Sequence, residues 1–214
     1  MERIKTLLRR TEPVRWLFYS DSITHGVKHT NGSRDFSEPF RERVLWKLQR
    51  RSDLVLNSAC SGFKTADLLR DFAWRAKAFM PHAAFVMIGS NDSADGKPDD
   101  FAGQLEELLD NFRAIGCEVV LETPLPVLRD LDEKRSRLPQ FAETVRAVAR
   151  RNHVPLIDHF ERWRNDSAEF YLHADCLHPN GLGHIKMAHD IFRALDIFDP
   201  ATSGVCSFFV PKTL

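Results

Sequence analysis

The chain has 214 residues, enough to bury the core of one α/β domain. Thirty lysines and arginines balance thirty aspartates and glutamates, so the net charge is zero and no global field favours nucleic acid or another polyanion. The four cysteines, Cys60, Cys117, Cys176 and Cys206, show no Cys-x-x-Cys spacing, which argues against a zinc site or redox dithiol and favours free thiols.

Met1 to Arg10 is basic but lacks the apolar core of a signal peptide, and no run approaches a membrane span, so a cytoplasmic protein is expected. Val14 to Phe18 reads as a first strand, ending abruptly in Tyr19-Ser20-Asp21-Ser22-Ile23-Thr24-His25-Gly26. His25 to Asp35, rich in His, Asn, Gly and Ser, reads as a loop. Ser37-Glu38-Pro39 opens a helix burying Phe40, Val44, Leu45 and Leu48, and the basic residues from Arg41 to Arg51 are expected on its solvated face. A second strand, Asp53 to Asn57, runs into Ser58-Ala59-Cys60-Ser61-Gly62. Thr65 can then cap a helix with Leu68, Leu69, Phe72, Ala76 and Phe79 on its buried stripe, stopped by Pro81.

Ala84 to Ile88 is a third strand, ending in Gly89-Ser90-Asn91-Asp92. Asp92 to Asp100 is acidic but lacks the ligand spacing of an EF-hand and reads as a loop before a helix. That helix carries Phe101, Leu105, Leu108, Leu109, Phe112 and Ile115, with Gly116 at its C-terminal cap. Cys117 to Leu121 is a fourth strand, Glu122 to Asp132 a proline-broken loop, Leu138 to Val148 a helix, and Val154 to Ile157 a short fifth strand. Trp163, Phe170 and Tyr171 either pack beneath the following loop or line a substrate pocket. A last helix follows Asn180, and the apolar tail around Val205 to Val210 packs on the domain or supports a homo-oligomer. The strand and helix alternation predicts one α/β domain over residues 1–214, with 200–214 as a tail and about five parallel strands between helical layers.

The chemistry-bearing residues sit where open α/β sheets bind ligands, at the carboxyl ends of strands. Ser22 follows the first strand. A serine hydroxyl needs a base and the base an orienting partner, and Asp175-Cys176-Leu177-His178 can supply both from one loop. Gly62 offers a closely approachable backbone N–H and Asn91 a side-chain N–H, two groups suited to an oxyanion. His25, His29, His173 and His184 match no metal-site spacing, and serine chemistry requires neither metal nor cofactor.

In order and spacing these four blocks resemble the SGNH or GDSL hydrolases, over most of the chain from Ser20 to His184. The resemblance implies the flavodoxin-like fold of that family. It also implies a serine esterase in which Ser22 is nucleophile, His178 general base and Asp175 its orienter, with an oxyanion hole from Ser22, Gly62 and Asn91. Small acyl esters, including acetylated carbohydrates and short-chain lipids, are the implied substrates. Where the family has a leading Gly, this chain has Ser20, which puts a Cβ at the turn. An O-acyltransferase using the same residues, or a ligand-binding domain without turnover, are the alternatives.

Overall fold

The computed structural model describes residues 1–127, 133–164, 175–201 and 204–207. Five parallel strands form one sheet in the order β2-β1-β3-β4-β5. They are β1 (Arg15–Phe18), β2 (Leu54–Asn57), β3 (Ala83–Met87), β4 (Glu118–Glu122) and β5 (Leu156–Ile157). The helices are α1 (Glu2–Arg9), α2 (Ser22–His25), α3 (Ser37–Arg41, continued by π-helical turns over Glu42–Lys47), α4 (Thr65–Arg75), α5 (Asp92–Asp95), α6 (Pro98–Ala114), α7 (Leu138–Arg151), α8 (His159–Arg164) and α9 (Gly181–Ala194). The expected strands are all present, each with its ends within a residue or two of expectation.

Both faces of the sheet are buried, and the period-two alternation of strand side chains divides the core. Trp16, Phe18, Phe85, Met87 and Val120 face a layer holding α1, α3, α8 and α9. Leu17, Tyr19, Ala84, Val86, Val119 and Leu121 face the other, with Leu68 and Phe72 of α4, five side chains of α6 and Phe141, Val145 and Val148 of α7. β3, wholly buried, lies at the centre, where the Phe18 and Phe85 rings stack at 4.9 Å across neighbouring strands.

The N-terminal segment, to which the sequence assigned no element, is a helix that buries Ile4 in the core. Several local expectations are overturned. Basic residues near α3 are not simply solvated: Arg43 is buried and donates to the Ile197 carbonyl, and Arg50 binds both oxygens of Asp53 at 2.7 and 2.8 Å. Asp35, rather than Ser37, supplies the start of α3, accepting from the Ser37 N–H at 2.8 Å. Thr65 is the first residue of α4 rather than its cap; the Asp67 carboxylate accepts the Lys64 N–H at 2.9 Å. That helix ends at Arg75, before Pro81, and Phe79 is 38% exposed because it lies on a separate 3₁₀ turn. Asp92–Asp95 forms a helical turn instead of a loop. The Gly116 cap stands, with Cys117 N–H reaching back to the Phe112 carbonyl at 3.0 Å.

Trp163 is fully buried and its indole N–H points at Asp190, so it packs in the core; Phe170, Tyr171 and His173 lie outside the described residues. Of the tail, Val205 and Cys206 are buried against the sheet, and His189 Nε2 donates to the Val205 carbonyl at 2.7 Å. Residues 208–214 lie outside the description. All four cysteines are free thiols, so Cys60 and Cys176 are not bridged. Among the described residues no helix is long and apolar enough to cross a membrane.

Two buried ionic clusters tie the layers to the sheet. Asp53 accepts from Val14 N–H and the Trp16 indole, each at 2.9 Å, as well as from Arg50, which fixes the entry into β1. His159, at the start of α8, lies 3.0 Å from Glu122 at the end of β4 and 3.3 Å from Asp190 in α9. Burial alone would push the His159 pKa down, but these two carboxylates outweigh it and raise it to about 9.

Removing Asp53 leaves the half-buried Arg50 guanidinium with backbone carbonyls alone and strands the Val14 and Trp16 N–H groups, so Asp53→Ala should cost about 3–5 kcal/mol in urea unfolding. A loss below about 1 kcal/mol would show that the cluster is not what holds β1. The raised pKa of His159 fixes the sign of a second effect. Its contribution is fully present below the ordinary imidazole pKa of about 6.5 and is lost as pH rises through about 9. The urea midpoint should therefore fall between neutral pH and about 10, with the His159 ring proton titrating near 9 by NMR. A ring proton that titrates near 6.5 would remove this cluster as the cause.

Candidate active site

The strand order reverses between β1 and β3: the chain leaves β1 toward β2 on one side and returns to β3 on the other. Crevices form outside the carboxyl ends of strands at such a point. Ser22 follows β1 and Asn91 follows β3, so both candidate residues lie at this edge.

Asp21 shapes the turn that presents Ser22. Its Oδ1 accepts the Ile23 N–H at 3.0 Å and caps α2, while its Oδ2 has no hydrogen-bond partner among the described residues. Burial drives this carboxyl up to about 7, helped by nearby Asp92 and opposed by the Ile23 N–H and Arg135. Gly26 closes the turn at φ +68°, and a Cβ there would lie 2.4 Å from the Asp35 Cβ, so only glycine fits. Ser20, at the family's Gly position, is fully buried, and its hydroxyl donates to the Met87 carbonyl on β3. This side chain thus ties the turn after β1 to β3, and Ser22 Oγ lies within reach of His178.

Ser22 Oγ lies 2.8 Å from His178 Nε2, and His178 Nδ1 lies 2.5 Å from Asp175 Oδ2. An ionised carboxylate only accepts, so Nδ1 carries the proton and Nε2 presents its lone pair to Ser22. The loop is locked by the backbone N–H groups of Leu177 and His178, which donate to Asp175 Oδ1 at 3.1 and 3.0 Å. Burial raises the Asp175 pKa, but these N–H groups and the His178 ring outweigh it and hold it at about 2. Directly after the loop, Asn180 Oδ1 accepts the Gly183 N–H at 3.0 Å and starts α9.

Gly62 and Asn91 reach the same edge through a chain of bonds. Cys60 N–H donates to the Ser20 carbonyl at 3.0 Å, and His25 Nδ1 accepts the Ser61 N–H at 3.2 Å. These bonds tie the turn after β2 to the turn that carries Ser22. Gly62 sits in it at φ +84°, a backbone conformation rather than a tight space being its requirement. Asn91 Nδ2 donates to the Phe63 carbonyl at 3.0 Å, while Arg135 Nη2 donates to Asn91 Oδ1 at 3.3 Å. Arginine cannot accept, so the amide oxygen must face Arg135, and one N–H of Asn91 is left over among the described residues.

Sequence reasoning missed two participants. Arg135 lies in a segment with no motif, and only its approach to Asn91 gives it a role. His29 was considered as a metal ligand with His25, His173 and His184, of which His173 lies outside the described residues. The His29 ring stacks on His178 with centroids 3.5 Å apart, and its Nδ1 lies 3.2 Å from Asp175 Oδ2. Of the others, His25 is held by Ser61, and His184 is buried against Phe36, where desolvation pushes its pKa down to about 3.

The sequence model of the GDSL-like Lipase/Acylhydrolase family matches residues 21–185. A Bacillus subtilis protein described as an uncharacterized lipoprotein, YqeF, is 24% identical over 176 residues, covering 68% of this chain and 72% of its own. Among solved structures, an alpha/beta hydrolase enzyme from the metagenome of Lake Arreo, Spain, superposes with a TM-score of 0.75 at 19% identity, covering 90% of this chain and 99% of its own. An acetyl xylan esterase from Geobacillus stearothermophilus superposes at 0.70 with 20% identity, covering 86% and 95%. At these identities the superpositions show a shared fold, and the family match extends across the Ser22, Gly62, Asn91 and Asp175–His178 blocks. The chain belongs to the GDSL-like lipase/acylhydrolase family and is an ester-hydrolysing enzyme of α/β fold.

Proposed function

We propose that this protein is a serine esterase for small acyl esters, working through Ser22, His178 and Asp175. The observation that carries the reading is the unbroken line of short contacts from Ser22 Oγ to His178 Nε2 at 2.8 Å and from His178 Nδ1 to Asp175 at 2.5 Å. In this reading the whole chain acts as one domain, with residues 200–214 as its tail.

The reaction has two steps. His178 Nε2 takes the Ser22 proton as Oγ attacks the ester carbonyl, and Asp175 stabilises the imidazolium that forms. The backbone N–H groups of Ser22 and Gly62 and the remaining N–H of Asn91 hold the oxyanion. Such preorganised donors act where charge develops, in a site that excludes bulk water. His178 returns the proton to the leaving alcohol; water, activated by the same ring, then frees the acid from Ser22. Phe63 and Arg135 fix the Asn91 amide before substrate arrives, so no reorganisation is needed during the step. Acetyl and other short acyl groups, on a carbohydrate or lipid alcohol, are the proposed substrates. Support for acetylated sugars comes from the Geobacillus neighbour, itself described as an acetyl xylan esterase.

Ser22→Ala should abolish release of p-nitrophenol from p-nitrophenyl acetate, and a fluorophosphonate should add its mass to wild type alone. Equal turnover by both proteins would exclude Ser22 as nucleophile. Loss of one oxyanion donor is worth about 10²–10³ in kcat, so Asn91→Ala should lose that much while keeping its circular dichroism spectrum. Undiminished kcat in a folded Asn91→Ala protein would remove this side chain from the oxyanion hole.

A further inference from the structure

Beside the proposed base lies one contact that the hydrogen-bonded relay does not use. The His29 ring lies flat against the face of His178, with centroids 3.5 Å apart and planes 5° from parallel. His29 belongs to the turn after α2, where the Thr30 hydroxyl donates to the Gly26 carbonyl at 2.8 Å and the Ser33 N–H to the Thr30 carbonyl at 2.9 Å. Thr30 is buried, so the turn is anchored and the ring it carries is held with it. The stretch of chain that presents Ser22 therefore also backs the ring that would take its proton.

Such a stack does not suit two neutral rings. Uncharged aromatic faces carry like partial charge and favour offset or edge-to-face contact, with centroids about 4.5–7 Å apart. At 3.5 Å the two imidazoles overlap almost completely. A cation against a neutral aromatic face is attracted to it instead. The arrangement thus suits the imidazolium form of His178, which in the proposed mechanism exists only once the Ser22 proton has reached Nε2. A second hydrogen bond does not account for the contact. His29 Nδ1 lies 3.2 Å from Asp175 Oδ2, but an oxygen in line with the His178 Nδ1–H stands out of the plane of a ring stacked on it.

We propose that His29 is a positioning residue acting through His178: its neutral face keeps the base in line with Ser22 and Asp175 and stabilises the imidazolium formed during the reaction. Only interactions that strengthen in the transition state raise kcat. Both acylation and deacylation pass through the imidazolium, so loss of the stack slows the two steps together and lowers kcat while KM holds. The role rests on His178 being the general base.

Hydrolysis of p-nitrophenyl acetate by three His29 variants of the full chain tests it. His29→Phe keeps an aromatic face without a ring nitrogen and should retain kcat within about 2-fold of wild type. His29→Leu, apolar but with no aromatic face, should lose about 10-fold in kcat at unchanged KM and keep the circular dichroism spectrum of wild type. His29→Gln, which can still donate to Asp175, should lose as much, and it takes the place of the leucine variant should that one misfold. Nitrogen NMR of the resting protein at the assay pH should show His29 as a neutral imidazole. Full kcat in a folded His29→Leu or His29→Gln protein, rescue by glutamine but not by phenylalanine, a change confined to KM, or a protonated resting His29 each overturns the role and leaves the esterase reading intact. Absence of wild-type hydrolysis, or hydrolysis that survives His178→Ala, overturns the mechanism and the His29 role together.

Discussion

The pairing of β1 with β3 is the constraint from which the rest of the site follows. These strands are adjacent in space but separated in sequence by β2 and two helical crossovers, and right-handed parallel connections allow the chain to return only from the other side. Their register, Phe18 opposite Phe85, is held by the stacked rings, by Tyr19 N–H on the Phe85 carbonyl and by the Ser20 hydroxyl on the Met87 carbonyl. Slipping that register by one residue would send Phe18 to the wrong core layer. It would also carry Ser22 away from the turn that ends at Asn91.

Around this edge, polar groups are positioned mainly by backbone amides. Asp175 is ionised because N–H groups of its own loop point at it, and Asn91 has one orientation because Phe63 and Arg135 occupy its two ends. Asp21, by contrast, gives up most of its hydration to cap a single turn. Its raised pKa is the cost of burying a carboxylate with one N–H partner. The Asp175 carboxylate oxygen that contacts His178 Nδ1 also faces His29, so one atom joins the proposed relay to a second imidazole.

How far each feature was legible in the sequence depends on the range of the interaction that fixes it. Strands such as Ala83–Met87 announce themselves as short apolar runs ending in glycine, and α6 by its 3.6-residue stripe, because burial of a face is written locally. Ser22, Gly62, Asn91, Asp175 and His178, the proposed site, could be singled out because each follows a strand or precedes the last helix, and the topology brings the ends of β1 and β3 to one edge. Arg43 and Arg50 were misread as solvated because a charge pattern on one helix does not reveal an Asp53 or an Ile197 carbonyl opposite it. Cap positions failed for a related reason: Asp35 takes the Ser37 N–H and Asp67 the Lys64 N–H, and only the backbone path decides which carboxylate reaches which N–H.

By itself, the sequence determined the layer architecture and the residue types available for acyl transfer, since both depend on short-range periodicity and on the order of elements. Tertiary structure alone decided that Ser20 turns its hydroxyl into the sheet, that Arg135 reaches Asn91, and that His29 lies against His178. Each of those contacts joins segments whose separation in sequence says nothing of their separation in space. They form only after the core has fixed where the loops meet.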